Sequence, residues 1–239
     1  MNLDVLVFAA HPDDAELSMG GTIAKFTESG FKVGIIDLTQ GEMGTRGSVE
    51  IRKNEAADAA KILKISVREN LLIPDGDIRI SNENINKVVV MMRKYCPGLV
   101  FAPYFNDRHP DHIHTSDLIK EAMFVSGLSK AKTFVGENAQ AVFRPSKLFY
   151  YMQTYTFQPS FIVDITGSFE KKLNSIRAFK TQFHNPDSNE PETFISKPEF
   201  IDFVEARAKY FGFQIGKKFG EPFYSEVNIE LSINDMLNN

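Results

Sequence analysis

The 239-residue chain has one cysteine, no tryptophan and no excess of basic residues. A lone Cys96 excludes an intramolecular disulfide and any thiolate-held metal cluster, and it agrees with a reducing compartment. Its plainest role is that of a small apolar residue ahead of Pro97. With 27 Lys and Arg against 31 Asp and Glu the net charge is −4, and no dense basic stripe is present. That balance supplies no field for a phosphate backbone, so nucleic acid is not an expected partner. No apolar run approaches the ~20 residues that span a bilayer. The opening "MNLDVLVFAAHPDD" also lacks the basic flank and long apolar core of a signal peptide. The expected location is the cytoplasm, with no membrane partner. What the chain does have is 43% hydrophobic residues, 21 phenylalanines among them, at a length that buries a sizeable core.

The first 120 residues alternate strand-like and helix-like segments. A buried-strand run at 5–10 leads to a helix over 16–29 that Gly30 closes, and "KVGIIDL" at 32–38 reads as a second strand. A glycine-rich loop follows, then a helix at 51–64, a short strand at 70–73, a helix at 82–95 capped by Ser81, and the strand "LVFA" at 99–102. This alternation predicts an α/β fold: a mostly parallel sheet with helices on both faces. Beyond residue 130 the pattern loosens to strands at 147–153 and 161–165 and helices near 168–180 and 198–211. The segment 184–199 has three prolines and little periodicity, which predicts a long loop over a site. No linker or repeat divides the chain, so 1–239 is expected to be a single domain.

Charge gathers in two places. "HPDDAE" follows the first strand and "NDRHPDHIH" follows the fourth, and these stretches hold four of the five histidines. In an open parallel sheet both would lie at the carboxyl edge, where ligands bind. Two neutral imidazoles and a carboxylate are the ligand set of many hydrolytic zinc sites, which makes His11, Asp14 and His112 the candidates. A metal also lets Asp13 and Asp14 both ionise, one as ligand and the other free to take a proton from water. Each residue has a plainer reading. Asp13 or Asp14 alone could cap the helix beginning near Ala15, and His109 alone could be structural. His114, two residues past His112 on a helix, should point away and is read as structural. The loop "TQGEMGTRGS" lacks the GK[ST] ending of a phosphate loop, so a nucleotide site is rejected. Its Glu42 and Arg46, with Arg52 on the next helix, would line the same edge, although Arg52 and Glu55 could equally form a surface pair.

In order along the chain, "HPDDAELSMGG", "TQGEMGTRGS" with "RKNEAADAAKIL", and "RHPDH" resemble the LmbE-like, or PIG-L, family of zinc-dependent N-acetylglucosamine deacetylases. The match covers roughly the first half of the chain. The "GTRGS" loop with "KTQF" at 180–183 resembles the bacillithiol branch, which removes acetyl from N-acetylglucosaminyl-L-malate. The resemblance implies His11, Asp14 and His112 as metal ligands, Asp13 as general base, His109 beside the developing oxyanion, and Asp111 orienting His109. It further implies a Rossmann-like sheet, zinc with ferrous iron as an alternative, and in that branch a homo-oligomer with a hexamer as one form. Malate carries two carboxylates, for which Arg46, Arg52 and Arg108 are the available guanidinium groups. Competing readings are the same site acting on a chitin fragment, a thiol conjugate or another N-acetyl sugar, and a non-catalytic metal-binding protein. The free Asp13 beside a three-ligand set argues against the last, since structural zinc sites fill all four positions.

Overall fold

The computed structural model describes residues 1–232; the expected domain runs on to 239, and its last seven residues, 233–239, lie outside the described residues. Strands β1 (Val5–Ala9), β2 (Val33–Asp37), β3 (Val67–Asn70) and β4 (Leu99–Pro103) alternate with helices α1 (Asp14–Glu28), α2 (Val49–Ile62), α3 (Asn82–Tyr95) and α4 (Pro110–Ser126). A short ribbon of β5 (Phe134–Val135) and β6 (Asn138–Ala139) precedes β7 (Lys147–Tyr151) and β8 (Phe161–Asp164). Helices α5 (Phe169–Arg177) and α6 (Pro198–Gln214) and strand β9 (Gly220–Tyr224) follow. The main sheet runs β3-β2-β1-β4-β7-β9-β8, parallel from β3 to β7, with β9 antiparallel to both its neighbours. The α/β expectation holds, and β9 is the departure from it, because "GEPFY" carries the Gly and Pro of a loop.

Alternation along β1 and β2 feeds two cores. Leu6, Phe8 and Ile36 pack under α3 and α4 with Val88, Met92 and Leu118, while Val5, Val7 and Ile35 pack under α1 with Ala15, Met19 and Ile23. Ser81 caps α3 by accepting from the Asn84 amide at 3.2 Å, as expected. Ser48 does the same for α2 at the Ile51 amide, so this helix begins at Val49 rather than residue 51. The third strand lies three residues earlier than "NLLIP" suggests. Leu72 has φ 52°, which takes the chain out of extended geometry even though Leu71 and Ile73 still reach the carbonyls of Asp37 and Leu38.

Helix α1 is kinked at Met19 (φ −138°, ψ 22°), and a second helical segment starts behind the kink. Its first amides are met from β9: the buried Glu221 carboxylate accepts from Gly21 N at 3.0 Å and Thr22 N at 2.6 Å. Lys172 of α5 balances that charge at 2.5 Å. A Cβ on Gly21 would sit 2.8 Å from the Ile165 side chain, so close packing here requires glycine.

From β1 the chain winds outward to β2 and β3, then returns to place β4 on the other side of β1. This reversal opens a crevice above the carboxyl ends of β1 and β4, and "HPDDAE" and "NDRHPDH" begin there.

Candidate active site

His11 leaves β1, Asp13 precedes α1, and Asp14 is the first residue of that helix. His109 is the N-cap of α4, its Nδ1 accepting from the Asp111 amide at 3.2 Å, with Pro110 at the first helical position. His112 follows one turn on. The site sits at the floor of a cavity of about 740 Å³, which His11, Asp13, Asp14, His109 and His112 all line.

The donor atoms of His11, Asp14 and His112 come within 4.8 Å of one another, close enough to hold one metal ion. The hydrogen bonds decide which nitrogens face inward. His11 Nε2 is held from behind by Asp75 Oδ1 at 3.0 Å and Asp111 Oδ2 at 3.3 Å, leaving Nδ1 toward Asp14 at 3.4 Å. His112 Nδ1 is held by Asp107 at 2.9 Å, leaving Nε2 toward Asp14 at 3.3 Å. Imidazoles fixed by carboxylates on their outer nitrogens are the usual support of a metal site. A second set, His11, His109 and Asp111, is as closely grouped, but there the Asp111 carboxylate is already engaged through Oδ2 with His11 Nε2 and the Gly76 amide.

Charge favours a cation at the first set. Burial pulls the His11 and His112 imidazoles down, yet the surrounding carboxylates outweigh it, holding His11 well above its ordinary value and His112 up to about 9. Burial opposes ionisation of Asp14 too, but His112 and His11 hold it well below the carboxylate range. Asp13 behaves oppositely. Burial pushes its carboxyl up to about 7 and the neighbouring Asp14 adds to this, against the pull of the Arg52 guanidinium 3.4 Å away. Its side chain makes no capping bond to α1, so the plain helix-cap reading fails. His109 lies below its ordinary value through burial and the charges on His11 and His112. With Nδ1 accepting, the neutral ring carries its proton on Nε2.

The arrangement corrects one expectation. The Asp111 carboxylate serves His11 and the Gly76 amide, and only the Asp111 main-chain amide touches His109. The reason is its place in the first turn of α4, where the amide faces the cap residue while the side chain turns toward β1's end. The three arginines also separate. Arg46 donates to Ser188 and faces Glu190, away from the cavity lining. Arg52 is buried between Asp13, Gln182 and the Gly41 carbonyl. Gly41 has φ 68°, and an added Cβ would strike that guanidinium. The surface Arg52–Glu55 pair does not form, since Glu55 binds Thr181 instead. Arg108 is exposed at the mouth, its guanidinium 4.6 Å from the Phe194 ring centroid. His114 points outward, half exposed.

Sequence reasoning passed over Asp75, Asp107, Gln153 and Arg207. Asp107 stood inside "NDRHPDH" and carried the signal. It bonds His112 and the amides of His109, Thr154 and Tyr155, and His112 with the His109 and Thr154 amides holds it down at about 2 despite burial. The others come from segments without a motif. Gln153, just past β7, donates to Asp14 Oδ1 at 2.7 Å. The 184–199 loop does lie over the cavity, through Thr193, Phe194, Ile195 and Lys197. The softer "GTRGS" and "KTQF" matches meet in space, where Gln182 donates to the Arg46 carbonyl at 3.0 Å.

The PIG-L family model, GlcNAc-PI de-N-acetylase, matches residues 6–123, from β1 into α4. Diacetylchitobiose deacetylase of Thermococcus kodakarensis is 31% identical over 232 residues, covering 91% of this chain and 80% of that protein. The chain belongs to the PIG-L family. Like its family, this PIG-L protein is a metal-dependent deacetylase, with the His–Asp–His group in place. The conserved protein TT1542 from Thermus thermophilus has the same fold at TM-score 0.87 and 36% identity, covering 97% of this chain and 98% of that one. A probable N-acetyl-alpha-D-glucosaminyl L-malate deacetylase of Bacillus anthracis is 26% identical over 196 residues, 75% of this chain and 81% of that protein. The bacillithiol branch is thus a more distant likeness than the chitobiose enzyme.

Proposed function

We propose that this PIG-L protein removes the acetyl group from a neutral 2-acetamido sugar of the chitobiose class, with zinc held by His11, Asp14 and His112. The carrying observation is Asp13, buried and raised to about 7, beside the three-donor set and on the same cavity lining as His109. A divalent metal in that set supplies Lewis-acid polarisation of the acetyl oxygen and acidifies water. Asp13 accepts a proton from the attacking water, and Arg52 holds its carboxylate in place. His109 donates its Nε2 hydrogen toward the oxygen that gains charge. In this reading His109 stays a hydrogen-bond donor, and the proton that Asp13 has taken goes to the leaving amine. Asp111 and Asp75 position His11, and Asp107 positions His112.

A neutral sugar is supported by the three arginines near the motifs: Arg46 and Arg52 are occupied by protein partners, which of those three leaves Arg108 to meet a carboxylate. N-acetylglucosaminyl-L-malate is the second reading, resting on Arg108 and the Bacillus relative. Acetate release from diacetylchitobiose, N-acetylglucosamine and the malate conjugate, with and without a chelator, tests both. The expected order places a neutral sugar first and zero turnover after chelation. If the malate conjugate is preferred, Arg108→Ala should lower its kcat/KM by roughly 10- to 150-fold relative to the neutral sugars. Ferrous iron in place of zinc and the homo-oligomer, both implied by the family resemblance, and the cytoplasmic location expected from the sequence, stand with this proposal. Metal analysis of anaerobically purified protein and its mass in solution test the first two.

A further inference from the structure

We propose that Phe194 and Phe203 form a subsite for a second sugar ring, next to the ring whose acetamide is cleaved; this rests on the acetamido-sugar reading above. Both phenylalanines line the cavity that holds His11 and Asp14, yet they are 51% and 43% exposed. Phe200, buried between them, has its ring 5.7 Å from Phe194 and 6.1 Å from Phe203, so the three make one continuous wall. Two elements build that wall. Phe200 and Phe203 share a side of α6 at i and i+3, and Phe194 comes from the 184–199 loop.

A guanidinium lies over one face of each exposed ring, so the rest of the ring is what a ligand can reach. Arg108 lies 4.6 Å from the Phe194 centroid and Arg207 lies 5.4 Å from the Phe203 centroid. Arg207 is fixed by bonds to the carbonyls of Gln153 and Leu17. A pyranose presents a face of C–H groups and a rim of hydroxyls, and the half-exposed aromatic surface that the guanidinium groups leave open, with their donors alongside, complements both. A short flexible dicarboxylate has no such face to offer. The wall is therefore suited to a glycosidically linked second ring, and its exposure is accounted for by that ring covering it.

The test is steady-state kinetics of the zinc-loaded full chain on diacetylchitobiose and N-acetylglucosamine, comparing wild type with Phe194→Ala, Phe203→Ala and Phe203→Tyr. Each alanine should lower the ratio of kcat/KM for the disaccharide over the monosaccharide by roughly 2- to 10-fold, through KM. Phe203→Tyr keeps the plane and should restore the ratio. Equal losses on both sugars, a loss confined to kcat, or a changed oligomeric mass in the alanine variants would overturn the subsite. A wild-type protein that cleaves both sugars, with the ratio unmoved in the variants, removes the subsite and leaves the deacetylase reading intact. Wild type that cleaves neither removes both.

Discussion

Asp13 sits at φ 118°, outside the regions that a residue with a Cβ prefers, at a cost of about 1–3 kcal/mol. The turn is held by its neighbours: the His11 amide donates to Asp14 at 2.9 Å and the Leu17 amide to the Asp13 carbonyl at 2.9 Å. Strain at this residue aims its carboxylate into the cavity while Asp14 faces the imidazoles, and that division of labour can be tested. Asp13→Asn should retain metal and lose ~10²- to 10⁴-fold in turnover, because an amide cannot take the water's proton. His112→Ala should instead lose metal by elemental analysis, and full occupancy in that variant would remove His112 from the ligand set. Arg52→Gln deletes the largest force lowering Asp13, so the carboxyl rises further above its ordinary range. Since the base works deprotonated, the acid limb of kcat/KM should move to higher pH. A limb that stays put or moves down would separate Arg52 from Asp13.

Among elements, α1 bears the most unusual construction: its first turn carries the site and its second segment begins anew behind Met19, with Glu221 as an acceptor supplied by a strand two hundred residues away in sequence. Glu221 and Lys172 are 2% and 3% exposed, so neither charge has water to fall back on. Glu221→Ala would strand Lys172 and orphan two helix amides, and should cost about 3–5 kcal/mol in chemical denaturation. Replacing both by apolar residues of similar size still orphans the two amides but leaves no stranded charge, so it should cost less than the single change by the part owed to Lys172. Equal costs for the single and paired changes would count against this account. Helix α4 is built more simply, since His109 serves as its cap and as a wall of the site at once.

At the scale of the whole molecule, no helix among the described residues is long and apolar enough to cross a membrane. The metal set joins the β1–α1 turn to α4, about a hundred residues further along the chain, so binding there should stabilise the fold by mass action. Zinc at a hundredfold excess over its dissociation constant should add about 2.7 kcal/mol, read as a rise in Tm that His112→Ala abolishes. By itself the sequence determined the strand–helix alternation, the Ser81 cap and the clustering of His11, Asp13, Asp14, His109 and His112, because these depend on neighbours within a few residues. Local pattern also sufficed for most of the loop over the cavity, where Pro186 and Pro191 deny a helix or strand, whereas Pro198 opens α6. It failed at β3, where one left-handed residue interrupted an apolar run, and at β9, where burial overrode loop-like composition. Only the tertiary structure decided that Asp111 supports His11, that Arg46 and Arg52 direct their charges to protein partners, and that Asp75, Asp107 and Gln153 complete the site. Those outcomes depend on which side chains meet across the β1–β4 crevice, and that is a property of strand order and helix packing that no short stretch of sequence encodes.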